Sequence, residues 1–200
     1  MKTVNTKLTK NTGKCTIYIL THCESCYNRL GIFTGRINSR LTKNGHRHAA
    51  RIARELKNKR IDMAYTSPLL RTKQTLTHIL VYHKNTKVMV DKRLIERDYG
   101  QLSRKSKEKY KKEHPDLFPI YHRSYETLPP GGESIRQVEK RVMPLIKEII
   151  SDMKKDHINV LVVTHGNTIR PIRKYFENLT NEQMMALESI KHKVYRYKIT

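Results

Sequence analysis

"IYILTHCES" (residues 17–25) and "VLVVTHGNT" (residues 160–168) are two apolar runs that both finish in Thr-His. Short runs, apolar throughout and rich in β-branched residues, read as strands buried on both faces, as in a parallel sheet. In such a sheet the carboxyl ends of all strands lie on one side, where ligands bind. His22 and His165 are therefore expected at one edge, side by side.

The rest of the chain supports that reading. "KCTIYILTH" (14–22) completes the first strand, and "IDMAYTS" (61–67), "TKVMVD" (86–91) and "KVYRYKI" (193–199) read as further strands. Between them, "LTKNGHRHAARIARELKN" (41–58) sets Ala49, Ile52, Ala53 and Leu56 at helical spacing. "SPLLRTKQTLTHIL" (67–80) reads as a helix with Ser67 as N-cap and Pro68 in its first turn. A polar, basic helix is expected over 103–113, and a long amphipathic one over 133–155, with Pro144 as a kink point. "NTIRPIRKYFENL" (167–179) follows the strand that ends in His165. Strands alternating with helices imply an α/β fold. The expectation is one domain over residues 1–200, in which the least regular segment, 92–132, covers the mouth of the site.

The 41 Lys and Arg against 18 Asp and Glu give a net charge of +23, which favours anionic partners. The basic residues are spread along the chain without an aromatic-basic module or a reader motif, so nucleic acid is a weak expectation. The longest apolar runs are too short to span a bilayer. The opening "MKTVNTKLTKNTGK" is polar and lacks the apolar stretch of a secretory leader, so the expected place is the cytoplasm. Three cysteines, an odd count, do not suggest a disulfide framework.

Arg71 lies in the first turns of the helix after the second strand, so its side chain can lean back toward the ligand edge. The turn at Gly166 and Asn167 opens a helix whose free N–H groups favour an anion. Two imidazoles, one guanidinium and a helix start describe a phosphate pocket. A neutral imidazole can attack phosphorus and carry the phosphoryl group. Fixed donors stabilise the transition-state oxygens, and a carboxylic acid protonates the leaving oxygen. This chemistry requires no metal.

At this point the sequence resembles the histidine phosphatase superfamily, specifically its phosphoglycerate mutase-like branch. The resemblance rests on "THCESCYN" (21–28), "FTG" (33–35), "LTKNG" (41–45), "YTSPLLRTKQT" (65–75), "LIERDYGQL" (94–102), "GGES" (131–134) and "VVTHGNTIR" (162–170), in that order. It implies a three-layer α/β/α sandwich whose mainly parallel sheet has an antiparallel edge strand. It implies that His22 is the phosphoryl acceptor, that Arg71 and His165 hold the phosphoryl group, and that Glu96 is the general acid and then the base. Asn28, Thr34, Gly35, Gly166 and Asn167 would add hydrogen bonds. Tyr99, Lys107 and, in "HRSYE" (122–126), Arg123 would meet the substrate. A mutase of this kind would act in glycolysis on phosphoglycerate, with 2,3-bisphosphoglycerate as donor, and a homodimer is allowed.

Two departures matter. Thr21 stands where the family carries Arg, and it offers one hydroxyl but no charge and no fork. Arg29, Arg36 and Arg97 are the candidates to replace that charge, Arg97 within the substrate site. The chain also runs almost directly from "TLPP" (127–130) to "GGES" (131–134), the shorter form seen in phosphatases. Phosphoryl transfer and hydrolysis both stay open. A further alternative is a degenerate, catalytically weak member that binds a phosphorylated or polyanionic partner. Cys23 and Cys26 could bind zinc or cycle as a dithiol, but a single Cys-x-x-Cys pair is a weak signal for either.

Overall fold

The computed structural model describes residues 14–188 and 193–200, with the side chain of Arg123 left out. The polar opening stretch before Lys14 lies outside the described residues.

The strands are β1 (Cys15–Thr21), β2 (Met63–Thr66), β3 (Lys87–Val90), β4 (Val160–Thr164) and β5 (Tyr195–Ile199). They form one sheet in the order β3-β2-β4-β1-β5. β1, β4, β2 and β3 are parallel, and β5 closes one edge antiparallel to β1. The fold class read from the sequence holds. The register also delivers what the matching strand ends promised: Thr21 lies opposite Thr164, so His22 and His165 leave the sheet together.

The helices are α1 (Cys26–Arg29), α2 (Lys43–Leu56), α3 (Leu70–Leu80), α4 (Lys107–Glu113), α5 (Leu117–Arg123), α6 (Ile135–Asp156), α7 (Ile169–Glu177) and α8 (Asn181–Ala186). Alternation along the strands sends side chains to opposite faces. Ile17, Ile19 and Val162 pack against Val142, Ile146 and Ile149 of α6 and Ile169 and Ile172 of α7. Leu20, Leu161 and Val163 pack against Ala49, Ile52 and Leu56 of α2 and Leu76 and Ile79 of α3. The expected apolar face of α2 is the buried one. α6 runs unbroken through Pro144.

The segment 92–132 carries two 3-10 turns, Lys92–Leu94 and Gly100–Leu102, together with α4 and α5. Its Tyr99, Leu102 and Tyr110 pack with Phe33, from the stretch before α2, in a small apolar centre. α5 was not anticipated, because Pro115 and Pro119 interrupt any helical reading of that stretch. α4 begins at Lys107, later than the expected 103, because Ser106 caps it by accepting from the Lys109 N–H.

Ser67 is not the N-cap of α3. That helix starts at Leu70, and Leu69 holds the cap position without a side-chain bond. The Ser67 hydroxyl is committed to His165 Nε2 at 2.7 Å and accepts from the Leu69 N–H.

Candidate active site

His22 emerges from β1 with its backbone N–H on the Thr164 carbonyl at 2.9 Å. Its Nδ1 lies 2.7 Å from the Cys23 carbonyl oxygen. A carbonyl only accepts, so Nδ1 carries the proton and Nε2 keeps its lone pair. Arg71 confirms that assignment from the other side, since its Nε–H donates to Nε2 at 3.1 Å. Burial, then the Arg71 charge, push the His22 pKa down to about 3. The imidazole is neutral at physiological pH, as a nucleophile requires.

The turn after His22 is braced by two helices. The Cys23 N–H donates to Thr75 Oγ1, one turn along α3 from Arg71. At the start of α2, the Thr42 N–H donates to the Glu24 carbonyl and Gly45 packs against that same carbonyl. Cys23 is buried, and burial raises its thiol pKa to about 11, a poor setting for thiolate chemistry. All three cysteines are free thiols.

His165 is fully buried, with its ring centroid 5.1 Å from that of His22. Desolvation, then the charge of Arg71, hold its pKa well below the ordinary value. Its Nε2 is bonded to Ser67, while its buried Nδ1 has no hydrogen-bond partner among the described residues.

Glu96 comes from the loop after the first 3-10 turn. Thr164 and Thr168 fix that loop by donating to the Leu94 and Ile95 carbonyls. The Glu96 carboxylate accepts from the backbone N–H groups of Arg97 and Asn167. Tyr99 is buried beside it, accepts from Asn167 Nδ2 at 3.2 Å, and has its pKa raised by that burial.

These groups line one cavity of about 550 Å³. Of the residues anticipated from sequence, His22, Asn28, Thr34, Gly35, Arg71, Glu96, Tyr99, Lys107, Gly166 and Asn167 face it. His165 lies directly behind, in contact with His22. The Asn28 carboxamide also accepts from the Ser25 backbone and hydroxyl, and the Thr34 hydroxyl donates to the Ile32 carbonyl. The Arg123 side chain lies outside the described residues.

Arg97 is placed differently from the expectation. Its fully buried guanidinium donates to the carbonyls of Glu133, Tyr121 and Thr127 and does not line the cavity. Arg36 is paired with Asp98 and Glu133. Of the three replacements considered for the missing charge, only Arg29 faces the cavity. Sequence reasoning missed Arg170 and His122, which also line it. Arg170 was within sight, being the last residue of the "VVTHGNTIR" block.

A paired imidazole site, a guanidinium and a carboxylate at the carboxyl edge of a parallel sheet define a phosphoryl-handling pocket. The chain matches the family model of the histidine phosphatase superfamily (branch 1) over residues 17–200, and it belongs to that family. It is 39% identical to a 2,3-bisphosphoglycerate-dependent phosphoglycerate mutase of Rhizobium etli, covering 87% of this chain and 86% of that one. A mutase of the same name from Methanococcus vannielii is 33% identical, covering 86% and 85%. Among solved structures, a mycobacterial glucosyl-3-phosphoglycerate phosphatase complexed with VO3 has a TM-score of 0.82 and 22% identity, covering 91% of this chain and 92% of that one. Bacillus stearothermophilus YhfR also gives 0.82 and 22%, covering 91% and 90%. At that identity the structures establish the shared fold alone.

Proposed function

We propose that this chain is a phosphoglycerate mutase that works through a phosphohistidine on His22, with 2,3-bisphosphoglycerate as the phosphoryl donor. The observation that carries the reading is the tautomer lock on His22. With Nδ1–H held on the Cys23 carbonyl, the Nε2 lone pair points toward Arg71 in a cavity that also holds Glu96. The two mutases cited above supply the substrate class.

Nε2 attacks phosphorus as the bond from phosphorus to the substrate oxygen breaks, and Glu96 delivers a proton to that leaving oxygen. Arg71, His165 Nδ1 and the N–H groups opening α7 receive the equatorial oxygens. In the return step Glu96 takes the proton of the accepting hydroxyl while the phosphoryl group leaves Nε2. In this reading the chain is one catalytic domain in the cytoplasm, with 92–132 as its cap. Among the described residues no helix is long and apolar enough to cross a membrane.

Incubation with 2,3-bisphosphoglycerate carrying labelled phosphoryl groups tests the reading. An acid-labile label on His22 that passes to phosphoglycerate supports it. A label that passes to water favours a phosphatase, and no label on folded protein removes both activities.

The phosphatase reading has one observation in its favour. The short 127–132 segment is strapped to the second 3-10 turn, with the Gln101 N–H on the Pro130 carbonyl and the Glu133 N–H on the Asp98 carbonyl. A strap held down in this way does not shield a phosphoenzyme from water.

For assembly, the reading adds a homodimer through the open edge of β3. Val88, Met89 and Val90 are 43–51% exposed there. Antiparallel pairing about Met89 would set Lys87 against Asp91 of a second copy, which makes the edge self-complementary. A monomer in sedimentation at micromolar concentration removes this part.

A further inference from the structure

We propose that the solvent face of α2 is a binding surface for the phosphate backbone of a double-stranded nucleic acid. The cations of the chain are spread along its sequence, but the carboxylates are not. Between residues 25 and 90 there are 14 Lys and Arg against two acidic residues, Glu55 and Asp62, although the whole chain has 18 Asp and Glu. Both of those are paired, Glu55 with Arg196 of β5 and Asp62 with Arg60. This stretch builds α2 and α3, the layer on one face of the sheet. The helices of the other face, α6 and α7, carry Glu139, Glu148, Asp152, Asp156 and Glu177 among their cations. A basic composition raises the charge of both faces alike. Its division between them is a property of the fold, and it concentrates the positive field on one side.

Within that layer the charge is ordered. Lys43, Arg47, Arg51 and Arg54 are exposed, at helical steps of four, four and three residues. They form one stripe opposite the buried Gly45, Ala49, Ile52, Ala53 and Leu56. Among the described residues none of the four is in a salt bridge, and Arg47 donates to the Asn44 carboxamide at 3.3 Å. Like charges one turn apart repel. The first turn of α2 also has no acidic residue to meet the positive end of the helix dipole. A bound polyanion relieves both penalties.

The shape of the stripe selects the occupant. Four residues of helix advance about 6 Å, close to the step between neighbouring phosphates along one strand. From Lys43 to Arg54 the stripe runs about 16 Å, enough to follow several phosphates. α2 contains no Tyr or Phe on which unpaired bases would stack, so a duplex is favoured over a single strand. A helix that lies on a membrane turns an apolar face to the lipid. The apolar face of α2 is in the core, and no large hydrophobic residue of α2 is exposed. Contacts to phosphates carry no sequence information, so the binding is sequence-independent.

The test is fluorescence anisotropy of a labelled DNA duplex of about 20 base pairs with the full chain, between about 50 and 200 mM salt. For the native protein, log affinity is expected to fall against log salt with a slope of about −3.6 or steeper, about 0.9 for each of four neutralised phosphates. Lys43→Gln, Arg47→Gln, Arg51→Gln and Arg54→Gln together are expected to flatten the slope by about that amount. They are also expected to weaken binding at the lower salt by at least about tenfold. Should that variant fail to fold, Arg47→Gln with Arg51→Gln is expected to flatten the slope by about 1.8. Lys140→Gln, Lys147→Gln, Lys154→Gln and Lys155→Gln remove the same charge from exposed positions on α6. They are expected to change affinity by less than about threefold, because salt screens the opposite face. The proposal is overturned if the native chain binds no duplex at the lower salt, if the α2 variants bind like the native chain, or if the α6 variant loses as much as the fourfold α2 variant. Binding to phosphatidylserine vesicles in place of the duplex overturns it as well.

Discussion

The Nε–H of Arg71 donates to Nε2 of His22 at 3.1 Å, so in the proposed mechanism the nucleophilic nitrogen is held by the group that then clamps the substrate. The other two nitrogens of the same guanidinium hold the Gly35 and Ile37 carbonyls at 2.8 Å. In the proposed mechanism a phosphoryl group entering the cavity would exchange one hydrogen bond for another: Arg71 would pass from a ring nitrogen to a phosphoryl oxygen, releasing the lone pair of His22 as its target arrives. Little reorganisation is left for the transition state, which is where fixed donors act most strongly.

Arg71→Lys tests that arrangement. The ammonium keeps the charge but cannot hold two carbonyls and a phosphoryl oxygen in one plane. A fall of about 10²–10³ in kcat/KM is expected, with most of it in kcat. Steady-state kinetics on phosphoglycerate decides it, and a change confined to KM would mean that Arg71 serves binding alone.

The desolvated imidazoles make stability depend on pH in a predictable direction. His22 titrates near 3 in the folded chain and near 6.5 when unfolded, so below 6.5 the unfolded chain takes up a proton that the fold refuses. Stability is therefore expected to fall as pH drops from 6.5 toward 3, by at most about 1.4 kcal/mol per pH unit for this group. Cavity water reaching the ring reduces that figure. His165 acts in the same sense. Urea midpoints between pH 7 and 4, compared with those of His22→Asn, should show the native chain losing more; parallel curves would contradict the assignment.

The fold, and the gathering of the candidate site at one sheet edge, were legible because they rest on patterns with a fixed period. Apolar runs that end in Thr-His state the strand, its direction and the edge where the histidine emerges, and the Thr21–Thr164 register followed. Arg97 was expected at the substrate, but sequence proximity to Glu96 says nothing about which way a loop side chain turns. The decisive partners, the carbonyls of Glu133, Tyr121 and Thr127, come from the far end of the cap segment. Ser67 carries the same lesson. Its N-cap chemistry is local, but a histidine about a hundred residues away claims its hydroxyl.

Gly45 reverses the usual helix rule. Gly→Ala inside a helix ordinarily gains about 1 kcal/mol. Here a Cβ would sit 2.1 Å from the Glu24 carbonyl oxygen, backbone against backbone, in the turn that carries His22. Gly45→Ala is therefore expected to destabilise by about 1–3 kcal/mol and to lower kcat as the turn shifts. Thermal melts and turnover on the same preparation check it, and a raised melting point would show that the contact relaxes freely.

Arg97 separates a structural guanidinium from a substrate-binding one. Its Nε donates to the Glu133 carbonyl at 2.6 Å, Nη1 to Tyr121 at 2.9 Å and Nη2 to Thr127 at 3.2 Å. These bonds tie the strap before α6 to the end of α5 beneath the cap. Replacing Arg97 with Met fills similar volume but orphans buried carbonyls, each at a cost of about 1–3 kcal/mol. The expected result is a total loss of at least about 3 kcal/mol in denaturant unfolding, with the KM for phosphoglycerate changed by less than about threefold in the protein that remains folded. The opposite pattern, an unmoved midpoint with KM raised about tenfold, would return Arg97 to the substrate, because only a group that touches the ligand weakens binding without loosening the fold.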